Sequence, residues 1–272
     1  MMDLKRVNAC MAKVAASEKR CFKPAGKKLK AGLDLGTAYI VIVVLDENDD
    51  PVACEKEAAS VLRDGVVVDY QGALAVVRRL KGELERRLGT ELGKCAIAMP
   101  AGTESSARTH RYIAEGAGFE VTEILDEPTA ANSVYKIENG VVVDIGGGTT
   151  GLAIFKDGVV EKIYDEPTGG THLSLVLSGN YRIPFDQAEV IKQDYRKHAE
   201  IFPIVRPVIE KMATIVARNI DTDETDTIYL CGGTSCLTGI EEVFEKVTGV
   251  HTVKPENPFL VTPTGIAMNC KV

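Results

Sequence analysis

The sequence lacks the features that define several protein classes. No apolar run approaches the roughly 18 residues of a membrane-crossing helix, and no signal-peptide pattern opens the chain. The 7 cysteines are scattered without a Cys-x-x-Cys pair, and the 4 histidines stand apart from one another. These absences predict a reduced, cytoplasmic protein that has no structural zinc site and does not contact a membrane.

Charge is unevenly distributed along the chain. The formal net charge is −7, but residues 1–30 carry a local charge of +7, so the remaining residues carry −14. An acidic body of this kind argues against a nucleic-acid-binding protein. The basic segment therefore needs a separate explanation.

Residues 1–30 are predicted to form a basic N-terminal arm. Within residues 3–20, four apolar side chains have helical spacing, namely Leu4, Val7, Met11 and Val14. Two interpretations remain open. The arm is either a loose tail, as termini commonly are, or a docking segment that lays this apolar stripe on a partner protein.

One pattern occurs twice in the acidic body, with its aspartates 110 residues apart. In each copy an aspartate ends an apolar strand, a glycine turn follows, and a second apolar strand runs to a polar hairpin. The first copy contains Leu33-Asp34-Leu35-Gly36-Thr37, and the second contains Val143-Asp144-Ile145-Gly146 followed by Thr149 and Thr150. This duplication predicts two related α/β domains, residues 31–140 and residues 141–262.

Hydrophobic periodicity and turn residues predict the remaining elements. Helices are expected at Gln71–Leu88, Thr103–Gly116, Pro128–Tyr135, Phe185–Arg196, Ile204–Asn219, Gly239–Thr248 and Thr264–Asn269. Further strands are expected at Val52–Glu57, Cys95–Met99, Val121–Leu125 and Thr227–Leu230.

The paired turns predict a phosphate-binding site. A glycine turn after a strand can present several backbone N–H groups to one anion, and side chains would block that approach. Asp34 and Asp144 would repel a polyphosphate unless a Mg²⁺ ion, held through its water shell, lay between them. The pattern therefore predicts that a nucleotide and Mg²⁺ bind together.

Two other nucleotide-binding motifs are excluded. Gly146, Gly148 and Gly151 match G-x-G-x-x-G formally, but an apolar strand follows in place of the helix that a dinucleotide site needs. No Walker A sequence occurs in the chain.

Five segments resemble, in order, the motifs of the superfamily that contains actin, sugar kinases and DnaK-type chaperone ATPases. They are Gly32–Thr37 (first phosphate loop), Leu125–Ala131 (chaperone hinge), Val143–Thr149 (second phosphate loop), Leu230–Thr234 (adenosine loop) and Thr264–Ala267 (second hinge helix). The resemblance implies a duplicated actin-like (ribonuclease H-like) fold with a nucleotide cleft between two domains. It also implies that the C-terminal helix, in residues 263–272, returns to the first domain, and that the upper subdomain of the second half is reduced.

Within this superfamily the chain most resembles the ethanolamine-utilisation protein J family. The similarity rests on the compact length, on residues 61–70, 144–151 and 211–218, and on Gly169-Gly170. That family is regarded as chaperone-like and belongs to systems housed in bacterial microcompartments. The resemblance implies an ATP- and ADP-binding protein that assists a protein client or a microcompartment component, in the cytoplasm or associated with the microcompartment.

The resemblance also assigns roles by position. Asp34 and Asp144 would hold the Mg²⁺ shell, with Asp144 also counted as catalytic, and Glu127 would position or activate a water on the γ-phosphate. Contacts to the nucleotide are expected from Gly36, Thr37, Gly146, Gly147, Gly148, Thr149, Thr150, Gly169, Gly170, Glu189, Lys192, Gly232 and Gly233. Glu189 and Lys192 would flank the adenine, although an ordinary i,i+3 surface pair is an equal alternative.

Three departures from the chaperone pattern bear on turnover. Gly151 occupies the place of a further catalytic aspartate, Ala38 stands where a second hydroxyl is common, and no lysine in residues 55–95 matches the catalytic lysine. Slow ATP hydrolysis, or none without a partner, is therefore expected. A small-molecule kinase of the same fold and a non-hydrolysing scaffold or filament protein remain alternatives.

Overall fold

The computed structural model describes residues 2–63, 65–99 and 104–272. The strands of the first half are β1 (Leu29–Leu35), β2 (Tyr39–Asp46), β3 (Pro51–Ala58), β4 (Leu62–Arg63), β5 (Val66–Val67), β6 (Lys94–Met99) and β7 (Glu120–Asp126). Its helices are α1 (Leu4–Ser17), α2 (Tyr70–Leu88), α3 (Glu104–Gly116) and α4 (Glu127–Tyr135). The predicted start of α3 at Thr103 lies outside the described residues.

The second half repeats this mixture of strands and helices. Its strands are β8 (Gly140–Ile145), β9 (Thr150–Lys156), β10 (Val159–Glu166), β11 (Thr227–Cys231) and β12 (His251–Val253). Its helices are α5 (Gly170–Tyr181), α6 (Phe185–Gln193), α7 (His198–Asn219), α8 (Ile240–Thr248) and α9 (Val261–Met268).

Two five-stranded sheets share one plan. The strand order is β3-β2-β1-β6-β7 in the first sheet and β10-β9-β8-β11-β12 in the second. In each, the first three strands in chain order pair antiparallel and the last two add in parallel. The described residues therefore show the duplication that the repeated aspartate–glycine pattern predicts, while the domain boundaries at residues 140 and 262 stay predictions.

Each sheet is covered on both faces, which explains its long apolar strands. Helices α2 and α3 cover the outer face of the first sheet, and α5, α7 and α8 cover that of the second. The inner faces share one core with α1, α4 and α9, where Val43, Val142 and Tyr135 are buried together. The Tyr135 hydroxyl donates to the Leu230 carbonyl oxygen at 2.6 Å, so α4 is tied directly to the second sheet.

The N-terminal arm contains the predicted helix, but neither interpretation of its apolar stripe was right. Val7, Met11 and Val14 are at most 1% exposed because α1 packs on the inner face of the first sheet, against Val43 and Cys54. The segment is thus part of the core and not a loose tail. Its apolar stripe is unavailable to a partner, whereas its basic side chains face solvent.

The predicted boundaries fail around the prolines of the second half. Helix α6 ends at Gln193 and not at Arg196, and α7 begins at His198, six residues before the predicted start at Ile204. Pro203 and Pro207 lie inside α7 because burial of residues spaced by four, such as Ile201, Val205 and Ile209, outweighs the hydrogen bonds that the prolines remove. Helix α9 likewise begins at Val261 and contains Pro263 in its first turn, where a missing N–H is tolerated.

Candidate functional site

The two glycine turns meet at a cleft of about 370 Å³ between the sheets. A Cβ atom placed on Gly147 would lie 3.2 Å from the Ala38 Cβ and 3.4 Å from the Thr37 Cβ, so the turn after β8 touches the turn after β1. Position 36 must also be glycine, because a Cβ atom on Gly36 would approach the Tyr39 carbonyl oxygen to 2.7 Å. Both turns therefore expose backbone at one place, as the paired motifs predict.

The second turn is held from behind by another glycine pair. The Gly146 N–H donates to the Thr149 carbonyl oxygen at 3.0 Å and closes the turn. The Gly170 N–H donates to the Gly146 carbonyl oxygen at 3.0 Å, and the Thr234 hydroxyl donates to the same oxygen at 2.7 Å. A Cβ on Gly169 would contact the Gly147 carbonyl oxygen at 2.7 Å, which explains why this position is glycine.

The predicted residues divide into those that line the cleft and those that support it. The cleft is lined by Asp34, Gly36, Thr37, Glu127, Asp144, Gly146, Gly147, Gly148, Thr149, Glu189, Lys192, Gly232 and Gly233. Thr150, Gly169 and Gly170 do not line it. The Thr150 hydroxyl is buried and donates to the Thr168 carbonyl oxygen at 2.5 Å, so it is already engaged behind the turn.

Besides Glu189, three carboxylates line the cleft, each from a different element. Asp34 lies near the end of β1, Asp144 near the end of β8, and Glu127 at the first position of α4. Burial raises the pKa of Asp34 to about 7, and the Asp144 charge adds to the effect. Burial also raises the pKa of Glu127 well above its ordinary value, and the charges of Asp144 and Asp34 raise it further. The Asp144 charge therefore makes it harder for both Asp34 and Glu127 to ionise.

Asp144 is enclosed by residues of the predicted adenosine loop and by Thr262, which the sequence did not single out. It is 4% exposed, and the Thr262 hydroxyl from α9 donates to its Oδ2. Burial raises the pKa of Asp144, while the hydrogen bond from Thr262 lowers it. A Cβ on Gly232 would overlap the Asp144 Oδ1, so the glycine of the predicted adenosine loop also leaves room for this carboxylate.

The donor chemistry of this cluster fits a hydrated divalent cation. Carboxylate oxygens are the ligands that Mg²⁺ prefers, and a cation would favour the ionised forms that burial disfavours. Among the residues that the structure describes, no three His, Cys, Asp or Glu side chains are arranged to bind one metal ion directly. That Asp34 and Asp144 hold such an ion through its water molecules stays a prediction.

Glu189 and Lys192 form a largely buried pair in the cleft, and not the surface pair that was the alternative. The Lys192 Nζ lies 2.8 Å from the Glu189 Oε2, and their side chains are 12% and 23% exposed. Ser174 donates to the same Glu189 oxygen at 2.6 Å. Burial raises the pKa of Glu189, but the Lys192 charge and these hydrogen bonds lower it overall. Burial lowers the pKa of Lys192 although the Glu189 charge opposes this.

A hydrogen bond joins the two halves across the cleft. The Tyr39 hydroxyl, from the start of β2, donates to the Gln193 Oε1 on α6 at 2.9 Å. The Gln193 Nε2 in turn donates to the Glu189 Oε1 at 2.9 Å. The same wall contains Phe259, whose ring centroid lies 5.5 Å from that of Tyr39 in an edge-to-face arrangement. Sequence reasoning missed these residues because they lie outside every glycine motif.

Lys56 of β3 also lines the cleft, within the range where no catalytic lysine was recognised. The Lys56 Nζ lies 2.9 Å from the Oε1 of Glu18, the residue that follows α1. It also lies 5.2 Å from the centroid of the Phe259 ring. Through Glu18, the N-terminal arm therefore contacts a positively charged side chain of the cleft wall.

Comparison with known proteins identifies the family. The model of "Cell division protein FtsA" matches residues 141–267, and that of "MreB/Mbl protein" matches residues 54–177. The ethanolamine utilization protein EutJ of Salmonella typhimurium is 44% identical over 237 residues, which cover 87% of this chain and 84% of that protein. This chain belongs to the EutJ family. The chaperone protein DnaK of Thermosipho africanus is 31% identical over 160 residues, which cover 54% of this chain and 26% of DnaK.

Solved structures agree with the EutJ assignment and establish the fold. EutJ from Carboxydothermus hydrogenoformans has a TM-score of 0.91 at 46% identity and covers 98% of this chain and 99% of its own. MreB 5 of Spiroplasma citri bound to AMPPNP has a TM-score of 0.70 at 18% identity and covers 88% of this chain and 95% of its own. The predicted actin-like fold is thereby confirmed for this EutJ family member. None of the helices in the described ranges is long and apolar enough to cross a membrane.

Proposed function

We propose that this EutJ family member binds ATP and ADP with Mg²⁺ in the cleft and couples nucleotide state to the way its two halves close. The observation that carries the proposal is the contact between the Gly147 turn and Thr37–Ala38, beside three carboxylates. Two backbone turns from different sheets then face one phosphate chain, and the carboxylates require a cation next to it.

Individual residues would divide the work as follows. The exposed turn N–H groups would bind phosphate oxygens, and Asp34 and Asp144 would hold the hydrated cation, which supplies positive charge against the phosphates. Glu127, at the N-terminus of α4, would orient a water molecule when its carboxylate is ionised. With Gly at position 151, slow turnover is the expected behaviour.

Closure of the cleft is the proposed output. The Tyr39–Gln193 hydrogen bond already spans the two halves, and Gln193 is bonded to Glu189 of the pair next to the cleft. A ligand that contacts Glu189 or Lys192 would therefore alter the contact that holds the halves together. A ligand can shift this equilibrium only by its difference in affinity for the open and closed forms.

The partner is proposed to be a protein of the ethanolamine-utilisation system, assisted in a chaperone-like manner in the cytoplasm or at a microcompartment. Support comes from the EutJ family and from the match to part of DnaK. Because the apolar stripe of α1 is buried, the contact would use the exposed basic side chains of the arm, such as Lys5, Lys19, Lys23 and Lys27. An acidic partner surface would match them.

Thermal unfolding with nucleotides tests the binding proposal. Mg-ATP or Mg-ADP at about 100 times its dissociation constant should stabilise the protein by about 2.7 kcal/mol, on the order of 5 °C or more for a chain of this size. Asp144→Asn should lose most of this shift. Asp157→Asn, which removes an exposed aspartate from the β9–β10 turn, should keep it. Equal shifts in both variants would show that Asp144 does not hold the cation.

The rival functions give different results in the same preparation. A metabolite phosphorylated in the presence of Mg-ATP would indicate a small-molecule kinase, and pelleting of the protein on nucleotide addition would indicate a filament. The chaperone-like proposal expects neither, and expects nucleotide-dependent retention of a purified ethanolamine-utilisation protein. A variant with Lys5, Lys19, Lys23 and Lys27 changed to Glu should weaken that retention about tenfold or more, as charge reversal at a contact does. Unchanged retention would place the contact elsewhere.

A further inference from the structure

His198, the first residue of α7, joins two segments of the cleft wall. It is 6% exposed and lines the cleft itself. The His198 Nδ1 lies 3.1 Å from the backbone nitrogen of Thr238, and its Nε2 lies 3.1 Å from the carbonyl oxygen of Lys192. Thr238 follows the predicted adenosine loop, and Lys192 lies in the last turn of α6. One side chain therefore connects the two segments that are expected to hold the nucleoside.

Only one protonation state of His198 fits both contacts. A backbone N–H can only donate and a carbonyl oxygen can only accept, so Nδ1 must be unprotonated and Nε2 must carry the proton. The Thr238 hydroxyl, 3.0 Å from the same Nδ1, fits either state because a hydroxyl can donate or accept. The imidazole is therefore neutral when both backbone bonds are formed. A proton on Nδ1 would break the bond from the Thr238 N–H.

The surroundings of His198 favour the neutral form. Burial lowers the pKa of His198, and the backbone contact with Lys192 raises it. The charge of Lys254 lowers the pKa further and that of Asp194 raises it, while Lys254 is itself paired with Glu241 of α8 at 2.8 Å. Because burial is the largest of these influences, the side chain is neutral at about pH 7 and takes up a proton in acid.

Helix α6 depends on polar contacts of this kind for its position. Of its nine residues only Ala188 is buried, so apolar packing holds the helix weakly. The Lys192 Nζ donates to the Gly170 carbonyl oxygen at 3.0 Å, and the Lys192 carbonyl oxygen accepts from His198. The last carbonyl groups of a helix have no partner within it, so the bond from His198 fixes this end of α6.

We propose that His198 is a positioning residue for nucleotide binding, whose neutral imidazole holds Glu189 and Lys192 of α6 at a fixed distance from the adenosine loop. This inference rests on the proposed binding of a nucleotide in the cleft. It adds a pH dependence to that function, because the protonated side chain releases the Thr238 N–H. The wall formed by α6 is then held less firmly, and ATP binds more weakly.

Two variants that cannot titrate test the two bonds separately. A glutamine amide nitrogen takes the place of Nε2, and an asparagine oxygen takes the place of Nδ1. His198→Gln therefore keeps the bond to Lys192, and His198→Asn keeps the bond from Thr238. Calorimetry at about pH 8 should show a dissociation constant for Mg-ATP that is raised about three- to tenfold in each variant, because each loses one hydrogen bond.

The pH dependence separates positioning from a purely structural role. Protonated His198 can donate to Lys192 but cannot accept from Thr238, so it has the same backbone bonds as the His198→Gln variant. The ratio of the dissociation constant of this variant to that of the wild type should therefore fall to within about twofold at about pH 5. The cleft carboxylates also titrate in this range, but they are present in both proteins and cancel from the ratio.

His251 supplies a matched control. It is exposed, contacts Glu245 at 3.1 Å and does not line the cleft. His251→Gln removes a titrating imidazole without touching α6 or the adenosine loop. Its dissociation constant for Mg-ATP should stay within about twofold of the wild type at both pH values, because no hydrogen bond of the cleft is lost.

Hydrogen exchange of the wild-type protein needs no variant. The Thr238 amide should be protected at about pH 8 and should lose most of that protection, after correction for the intrinsic exchange rate, at about pH 5. Protection that persists in acid would show that the bond to His198 survives protonation, and would overturn the inference.

Three binding results would also overturn it. The inference fails if His198→Gln binds Mg-ATP like the wild type at about pH 8, or if its ratio to the wild type is the same at about pH 5. It also fails if His251→Gln shows the same loss. A wild-type protein that binds no ATP at either pH would instead refute the proposed function itself, and the inference with it.

Discussion

Asp144 is surrounded by polar groups from elements that are far apart in the chain. Its Oδ2 accepts from Thr262, which is 118 residues away, and its Oδ1 lies against Gly232. A buried carboxylate that loses its donor keeps the full unfavourable free energy of desolvation. The geometry of the cleft at the residue scale therefore depends on α9 as much as on the turn that carries Asp144.

Replacement of Thr262 tests that dependence. Thr262→Val should lower the free energy of unfolding by about 1–3 kcal/mol, because a buried acceptor is left without its donor. Thr264→Val is the matched control, since the Thr264 hydroxyl is also buried in α9 but donates only to the Leu260 carbonyl oxygen. Urea unfolding measures the free energy of unfolding of both variants. Equal losses would show that the Thr262–Asp144 hydrogen bond stabilises the fold no more than the Thr264–Leu260 hydrogen bond does.

The raised pKa values at the cleft predict an unusual pH dependence. Burial raises the pKa of Asp34 and of Asp165 to about 7, and raises those of Glu127 and Asp144 as well. The folded protein then binds more protons than the unfolded chain between about pH 4 and pH 7, so these groups stabilise the fold at low pH and lose that effect as pH rises through 7. His198 works in the opposite direction below about pH 6.5, because burial lowers its pKa. Carboxyls whose pKa is lowered, such as Asp46 and Asp194, also work in the opposite direction, but mainly below about pH 5.

The nucleotide-free protein in EDTA should therefore melt at a higher temperature at about pH 5.5 than at about pH 8. Asp34→Asn should flatten this profile, since one of the four titrating carboxyls is removed. Added Mg²⁺ should restore stability mainly at the higher pH. A melting temperature that rises steadily from pH 5.5 to pH 8 would contradict the coupled-carboxylate description.

At the residue scale the sequence predicted site residues that belong to short local motifs, and it missed residues whose role depends on contacts between distant elements. Asp34, Asp144 and Glu127 could be found because each stands next to a strand end or helix start in a short motif. Thr262 could not, because its role depends on a contact between distant elements.

At the scale of elements, the backbones of α4 and α9 are in close contact where the two helices cross. A Cβ atom on Gly265 would overlap the Ala130 carbonyl oxygen, and the crossing is completed by small buried residues such as Ala131 and Ala267. A Cβ on Gly32 of β1 would overlap the Ala267 backbone nitrogen, so α9 also lies directly on the first sheet. The helix predicted to return to the first domain therefore contacts both the hinge segment and β1.

Gly265→Ala should lower the free energy of unfolding by about 1–3 kcal/mol or more, because the two helices must move apart. Gly82→Ala in α2 is the matched control, since a Cβ added there would meet no atom within 4 Å and alanine is favoured in a helix by about 0.5–1 kcal/mol. Thermal unfolding should thus give shifts of opposite sign. A neutral Gly265→Ala would mean that the crossing is looser than described.

Element types were predictable where one face is regularly apolar, and boundaries failed where tertiary packing overrode a local signal. Helix α2 ends where the sequence predicted, at Leu88, and Gly89 follows it in the left-handed conformation that glycine adopts easily. The predicted start of α7 was wrong because a proline such as Pro203 is expected to interrupt a helix. Packing of Ile201 in the core of the second half instead extends α7 back to His198. The short pair β4–β5 and the three-residue strand β12 were missed because such short strands have too few residues to show periodicity.

At the scale of the whole molecule, two similar halves are joined by a shared core and by the cleft. Duplication was predictable from the repeated turn, and the sequence of motifs predicted the actin-like fold. The position of the arm was not, because the same apolar stripe could pack on a partner or on its own sheet. Only the assembled sheet shows that the inner face, with Val43 and Cys54, needs α1 to cover it.

A structure of the complex with Mg²⁺ and a non-hydrolysable ATP analogue would test the central claim most directly. The account predicts phosphate density between the turn at Gly36–Thr37 and the turn at Gly146–Thr149, with the metal ion reached through water from Asp34 and Asp144. A protein that binds the analogue in solution but holds its phosphates away from these turns would contradict it.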